Sequence, residues 1–319
     1  MDQDTTSGFR IELPVGSLDI HDLTVGEPSG SAPVVVAVHG ITANGLGFQC
    51  VADELYRRRG PGSLRFLSPD LRGRANNRGV LGPYGLATHA SDLVAIADVF
   101  GTRPVLVGHS MGAFVSALTG ARHPDRVSGI VLVDGGLAFP PPAGLDVDAV
   151  LQAVLGSAMA RLGMRFPTPE AYAGFWLDHP ALGPALAGRR GPEVRRYLMH
   201  DLIAADDGTG EWVSSCRLAA VRADGVDVLA DPETHAAARK AVASGVPVEL
   251  VWAARGLLDE PQGLYDEERL TALDLPDDLR VIAAPDTNHY TVILEEEGVG
   301  AVVDAIERQL GPLAGDRTG

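Results

Sequence analysis

The sequence predicts an α/β fold: a mostly parallel central sheet flanked by helices, interrupted by an inserted helical lid. Three observations lead there. A continuous apolar run at 33–38 and mostly apolar runs at 105–107, 127–133 and 246–252 suit strands covered on both faces. Helix-period segments separate these runs, the rhythm of strand–helix–strand crossovers. Residues 137–235 break that rhythm, with repeated prolines between helical segments and no strand run of comparable strength.

Taken in order, residues 9–13 and 17–25 alternate like two strands joined at Pro14-Val15-Gly16, an opening antiparallel hairpin. The run at 33–38 ends in His39-Gly40-Ile41-Thr42, where a glycine lets the chain turn sharply over the sheet edge. A helix at 51–59 and a strand at 64–68 follow. The next loop carries Asp70 and Arg72, which are expected to form a stabilising ion pair. The helix at 86–100 has His89 and Asp92 on its expected polar side.

The central signal is Val105-Leu106-Val107-Gly108-His109-Ser110-Met111-Gly112 followed by Ala113, Phe114, Ala117 and Leu118. A buried strand runs into a sharp turn and then a helix, with a serine at the apex. G-x-S-x-G in that setting is a nucleophile elbow. The small residues around the serine are those that a strained, crowded turn demands. After the strand at 127–133 comes Asp134-Gly135-Gly136. Beyond the lid, which includes expected helices at 146–162 and 192–204, the core resumes with a helix at 234–243. A strand at 246–252 leads into a loop bearing Asp259; a strand at 279–284 leads into Asn288-His289-Tyr290, and a helix at 298–310 closes the chain. The core is thus residues 1–136 and 236–319, and the lid residues 137–235.

Composition bounds the function. Apolar residues make up 45% and charged residues 21% of the 319 positions, the proportions of a globular chain with a sizeable core. A formal net charge of −16 disfavours nucleic acid and anionic membrane surfaces as partners. Two cysteines, Cys50 and Cys216, with no Cys/His cluster at ligand spacing, point to reduced thiols and no metal. The acidic Met1-Asp2-Gln3-Asp4 start lacks a signal-peptide pattern, so a cytoplasmic location is expected.

His39, Ser110, Asp134, Asp259 and His289 each fall just after a strand. Ligands of open α/β sheets bind at those carboxyl ends. A serine hydroxyl needs a base within reach. His289, late in the chain and after the last strand, is the candidate. Backbone N–H groups of Ile41 and Met111 are the candidate oxyanion donors. His39 reads as a hydrogen-bonded structural histidine.

With His39-Gly40, Asp70-Leu71-Arg72-Gly73, the serine elbow, Gly256-Leu257-Leu258-Asp259 and Asn288-His289 in place, the chain resembles the α/β-hydrolase family, in its serine esterase and lactonase branch with a helical lid. The resemblance covers nearly the whole chain, and the order Ser, Asp, His matches the family pattern. It implies a Ser110–His289–Asp259 triad, with Asp134 as the alternative acid used by some members. Ser110 separates the chain from the haloalkane dehalogenases and soluble epoxide hydrolases, which carry aspartate there. The resemblance implies hydrolysis of a small-molecule carboxylic ester or lactone through an acyl-enzyme, with no cofactor. C–C bond hydrolysis and cofactor-free perhydrolysis on the same triad are enzymatic alternatives; a hydrolase-fold small-molecule receptor is the alternative of another class. Within the lid, Trp176, Met164 and Phe139 are expected to line an apolar substrate pocket.

Overall fold

The computed structural model describes residues 8–13, 16–139, 146, 149–150 and 159–311. Eight strands form one sheet in the order β1-β2-β4-β3-β5-β6-β9-β10. Here β1 is Gly8–Glu12, β2 Ser17–Asp22, β3 Val34–Val38, β4 Arg65–Pro69, β5 Val105–His109, β6 Gly129–Val133, β9 Val248–Arg255 and β10 Leu279–Asn288. The opening hairpin β1–β2 is antiparallel, as is β2 with β4, and every other pairing is parallel.

The five residues of β3 are all buried, and their alternation explains why. Val34, Val36 and Val38 enter one apolar cluster while Val35 and Ala37 enter the other, so helices must cover both faces. Helices α1 (Gln49–Arg59), α2 (Leu86–Phe100) and α3 (Met111–Arg122) follow β3, β4 and β5 in turn. On one face α3 packs against α2 and against α8 (Pro232–Ala243); on the other, α1 packs against α10 (Glu296–Leu310).

The chain steps from β3 outward to β4, then crosses back over β3 to reach β5. That reversal opens a crevice between the carboxyl ends of β3 and β5. Gly40 and Ser110 lie on its two sides.

Between β6 and β9 the described lid holds helices α4 (Pro169–Leu177), α5 (Gly183–Ala187), α6 (Gly191–His200) and α7 (Leu218–Ala230). It is not wholly helical. Residues expected to extend α6 instead turn at Asp201 and form β7 (Leu202–Ala204), antiparallel to β8 (Trp212–Ser214). Most of the helix expected at 146–162 lies outside the described residues. The lid shares a core with the sheet: Phe166, Tyr172, Trp176, Val194 and Tyr197 pack into the same cluster as Phe48, Val51 and Leu55.

Two charge expectations are corrected. Arg72 does not pair with Asp70; it grips Asp92 with two hydrogen bonds of 2.6 and 2.7 Å. His89 and Asp92, expected on a polar face, are both buried. The loop after β4 tucks Arg72 beneath α2, which turns Asp92 inward to meet it, while His89 Nε2 donates to Asp224 at 3.1 Å. A buried guanidinium is tolerated only when its charge and N–H groups are answered.

The elbow requires a helix start pressed against a neighbouring strand end. A Cβ on Gly112 would lie 1.9 Å from the Val38 carbonyl oxygen, whereas one on Gly174 in α4 meets nothing within 4 Å. Gly112→Ala is therefore expected to cost several kcal/mol or to prevent folding. Gly174→Ala is expected to be neutral or to stabilise by up to about 1 kcal/mol. Urea denaturation of both variants beside the wild type checks the pair.

Candidate active site

β5 ends at His109 and α3 begins at Met111, so Ser110 makes the turn alone. Its φ of 55° and ψ of −122° are a conformation that side chains other than glycine rarely adopt. Its N–H donates to the Val133 carbonyl at 2.9 Å, which pins the turn to the end of β6. The next residue there, Asp134, is also held at positive φ, 42°. A Cβ on Gly135 would sit 2.3 Å from the Ser110 carbonyl oxygen. The loop after β6 thus lies directly against the elbow.

That contact decides the partner of the histidine. His289 Nδ1 donates to Asp134 Oδ2 at 2.6 Å, with the Asp134 side chain wholly buried and that of His289 nearly so. The other carboxylate oxygen of Asp134 accepts the Ala253 N–H at 3.1 Å. The carboxylate is fixed from both sides.

Asp259, expected to orient His289, does not reach it. Its Oδ1 accepts from Asn288 Nδ2 at 2.9 Å, and its Oδ2 takes Arg255 Nη1 at 3.3 Å. Asp259 sits in a turn at φ 65° beyond β9, where Arg255, four residues earlier, competes for its charge. Its link to His289 runs through Asn288, whose side-chain oxygen accepts the N–H groups of Tyr290 and Thr291, each at 3.0 Å. His109 adds a further restraint by donating from Nε2 to the His289 carbonyl at 2.7 Å. Burial and the neighbouring His289 ring push the His109 pKa well below its ordinary value, which keeps that ring neutral.

Ser110, His289 and His109 line one cleft together with Gly40, Ile41 and Asn44. With its Nδ1 proton committed to Asp134, the imidazole keeps a lone pair on Nε2. A histidine so held can take a proton from a hydroxyl and return it to a leaving group. Met111 opens α3, where a backbone N–H has no carbonyl one turn earlier to bond. The loop bearing Ile41 is anchored by Arg74, which donates to the Ile41 carbonyl from Nε at 3.1 Å and Nη2 at 2.9 Å. Arg74 is fully buried and its charge is met by Asp224 at 2.6 Å.

The lid supplies the roof. Trp176 lines the cleft, as expected, with Tyr172, Tyr197 and Arg161 beside it. Met164 and Phe139 do not. Met164 is 38% exposed just past a helical turn, and Phe139 is 37% exposed. Phe139 faces away, with the Tyr265 ring 5.8 Å from it and Arg269 over its face.

Arg161 escaped sequence reasoning, because an arginine in a helical pattern ordinarily reads as a solvated face. Here it is 1% exposed. It is paired with Asp201, donates to Tyr172 at 3.0 Å and Ser214 at 3.1 Å, and reaches the Thr42 carbonyl at 3.0 Å. Its Nε is buried without a partner among the described residues. The position of Asp134 did have a signal in the chain. Gly135, directly after that aspartate, marks a backbone forced close to Ser110, though it does not by itself choose between the two acids.

Comparison with known proteins agrees with this architecture. A family model described as alpha/beta hydrolase fold matches residues 33–296. An uncharacterized protein of Mycobacterium tuberculosis is 28% identical over 177 residues, 53% of this chain and 48% of the relative. A 2-(acetamidomethylene)succinate hydrolase of Mesorhizobium japonicum is 29% identical over 167 residues, 51% of this chain and 56% of the relative. The chain therefore spans about half the length of these curated relatives. Among solved structures, a hypothetical protein from Pseudomonas aeruginosa superposes with a TM-score of 0.65 at 25% identity, covering 94% of this chain and 97% of the other.

The structural reading of His39 yields a pH prediction. His39 Nδ1 donates to the Gly40 carbonyl at 2.7 Å, and its Nε2 accepts the Leu71 N–H at 2.8 Å. Burial pushes its pKa down to about 3 against an opposing pull from Asp70. The unfolded chain takes up a proton on this ring below about pH 6.5, which the native state refuses until about pH 3. Stability from this group is therefore complete above pH 6.5 and falls through that window at up to about 1.4 kcal/mol per pH unit. His39→Gln is expected to make the acid limb of urea-derived stability shallower by an amount of that order between pH 4 and 6. An unchanged slope would contradict a neutral, buried His39.

Proposed function

Because the chain belongs to the α/β-hydrolase family, we propose that it is a serine hydrolase that cleaves a carboxylic ester or lactone through an acyl-enzyme, with a Ser110–His289–Asp134 triad. The observation that carries the reading is the 2.6 Å His289–Asp134 hydrogen bond at the cleft where Ser110 stands in its strained turn. Ser110 attacks the acyl carbonyl while His289 takes its proton. The carbonyl oxygen gathers negative charge, and the N–H groups of Ile41 and Met111 receive it. His289 returns the proton to the leaving alcohol, and water then repeats the sequence on the acyl-enzyme.

The cleft wall adds a property of the substrate. Trp176 offers an apolar ring, while the buried Arg161 Nε, without a partner among the described residues, is a donor in that wall. An acyl group with an oxygen acceptor a few bonds from the scissile carbonyl satisfies both. A second reading is a substrate bearing a carboxylate. It is favoured by the name of the Mesorhizobium relative, a succinate derivative's hydrolase, and by the buried guanidinium. Asp201 already answers the charge of Arg161, which leaves the neutral substrate ahead. Matched esters differing only in a terminal carboxylate separate the two readings through kcat/KM.

A fluorophosphonate probe is expected to label the wild type and to spare Ser110→Ala. Asp134→Asn is expected to lower kcat by roughly 10³–10⁴, as loss of the orienting aspartate does in serine proteases. Asp259→Asn, which acts only through Asn288, should lower it by less than about tenfold. The reverse ranking would return the acid to the loop after β9. Labelling without turnover on any ester or lactone would favour a receptor.

The lid variants make a sharper contrast. Trp176→Ala is expected to change the kcat/KM ratio between bulky and small activated esters by about tenfold or more, on the scale of a lost apolar contact. Met164→Ala, at an exposed site outside the cleft, should leave that ratio within about twofold. Equal losses on every substrate in folded Trp176→Ala would mean that the tryptophan supports the catalytic geometry itself.

A further inference from the structure

A second constellation lies outside the catalytic cleft, where the lid meets the opening hairpin. His21 is on β2, Asp70 follows β4, and His200 ends α6. Asp70 has no exposed side-chain surface, while the two histidines keep 9% and 17% of theirs. His21 Nε2 and His200 Nε2 both point at the same oxygen, Asp70 Oδ2, at 3.0 and 3.1 Å. Their rings meet edge to face, 4.9 Å apart. The remaining carboxylate capacity is filled by backbone, with Gly45 N–H at 2.8 Å on Oδ1 and Asn76 N–H at 3.2 Å on Oδ2. A solvent-open hollow reaches the two histidines from outside. At its rim Arg10 spends its charge on Asp19 through two hydrogen bonds, 2.9 and 2.7 Å.

We propose that His21, Asp70 and His200 form a binding site for a divalent transition-metal ion of the zinc class, which fastens the lid helix α6 to the sheet. The donor set is two imidazoles and one carboxylate, a combination suited to zinc, cobalt and nickel. All three ligand atoms lie within 4.8 Å of one another. Ligand atoms about 2.1 Å from a common ion are separated by about 3.0 Å at right angles and about 3.4 Å at the tetrahedral angle. The His–Asp separations of 3.0 and 3.1 Å match the first and approach the second. Each imidazole would carry its proton on Nδ1 and turn the Nε2 lone pair to the ion. Backbone donors already orient the carboxylate, the kind of outer support that metal sites use. Water from the open hollow can complete the coordination. The chain's net charge of −16 favours cation capture.

The position gives such an ion a structural consequence for the cleft without placing it there. Asp70 holds the N–H of Gly45, next to the cleft residue Asn44. His200 precedes Asp201, the partner of Arg161 in the cleft wall. One ion would therefore tie together the β3-side and lid-side walls of the site where substrate enters.

Full-length protein stripped with a chelator and titrated with zinc chloride by calorimetry tests this directly. One equivalent is expected to bind with a Kd in the micromolar range or tighter. Free zinc at a hundredfold excess over Kd should raise Tm by about 4 °C. His21→Ala and His200→Ala are each expected to weaken binding at least tenfold and to abolish the Tm rise, while His123→Ala, just past the C-terminal end of α3, keeps both. His200→Gln, which preserves size and a donor at a partly exposed position, guards against a folding defect, and circular dichroism verifies each variant. Cobalt(II) should give visible d–d absorption with the wild type and none with His200→Gln. Absence of saturable binding of zinc, cobalt or nickel below 100 µM (about −5.5 kcal/mol), or binding unchanged in both alanine variants, would overturn the site. Neither outcome depends on the hydrolytic reading.

Discussion

Backbone crowding around Ser110 is the constraint to which the rest of the molecule conforms. Two neighbouring strand ends close on the elbow. The end of β3 presses on Gly112, the loop after β6 presses Gly135 against the Ser110 carbonyl, and Gly40 stands 3.3 Å from the Ser110 Cβ when given a side-chain carbon of its own. A residue at φ 55° and ψ −122° persists only if its surroundings leave it no alternative. The central position of β5 between β3 and β6, with both faces of the sheet buried, supplies that lack of alternative. The site is therefore placed by packing of the backbone, and the side chains of the proposed triad are fitted to it.

Buried charge is the second layer, and it is consistently paired. Arg74 reaches Asp224 while holding the Ile41 carbonyl, Arg72 grips Asp92, and Arg161 is met by Asp201 and three neutral oxygens. Such pairs add little net stability relative to apolar packing, since desolvation offsets most of the attraction. What they fix here is geometry. Arg74 and Arg161 hold the cleft residues Ile41 and Thr42 by their carbonyls, and Arg72 ties the loop after β4 to α2. Removing one partner would leave a bare buried charge, and that penalty makes the loop positions discrete rather than continuously variable.

The legibility of these features in the sequence follows from their range along the chain. The strands were readable because each is a local apolar run, and the elbow because strand, turn and helix are contiguous. Ser110 and His289 are candidates for the same reason, each lying directly after a run. The antiparallel opening hairpin and the interruption between β6 and β9 were also local signals. The acid was not decidable on that basis, because Asp134 and Asp259 both follow strands. What separates them is a competing Arg255 and a 155-residue span to the histidine, neither visible as a motif. Arg72 misled for a related reason: its nearest acid in sequence is Asp70, but its partner Asp92 lies 20 residues away. In the lid, Trp176, Met164 and Phe139 have equal claims as apolar residues, and only the fold turns the first inward and the others out.

The position of the proposed acid has a structural consequence for the rest of the cleft. With Asp134 seated just after β6, one oxygen of its carboxylate takes the Ala253 N–H of β9 and the other takes His289. The loop beyond β9 is then released from holding the histidine. It takes a different task. Asp259 tethers Asn288, Asn288 holds the Tyr290 and Thr291 amides, and Leu257 is left to line the cleft. The turn that carries His289 is thereby braced from below by β9 while its imidazole is oriented from the side by β6. Two loops share what one loop would otherwise do alone: the loop after β9 holds the turn through Asn288, and the loop after β6 orients the ring through Asp134.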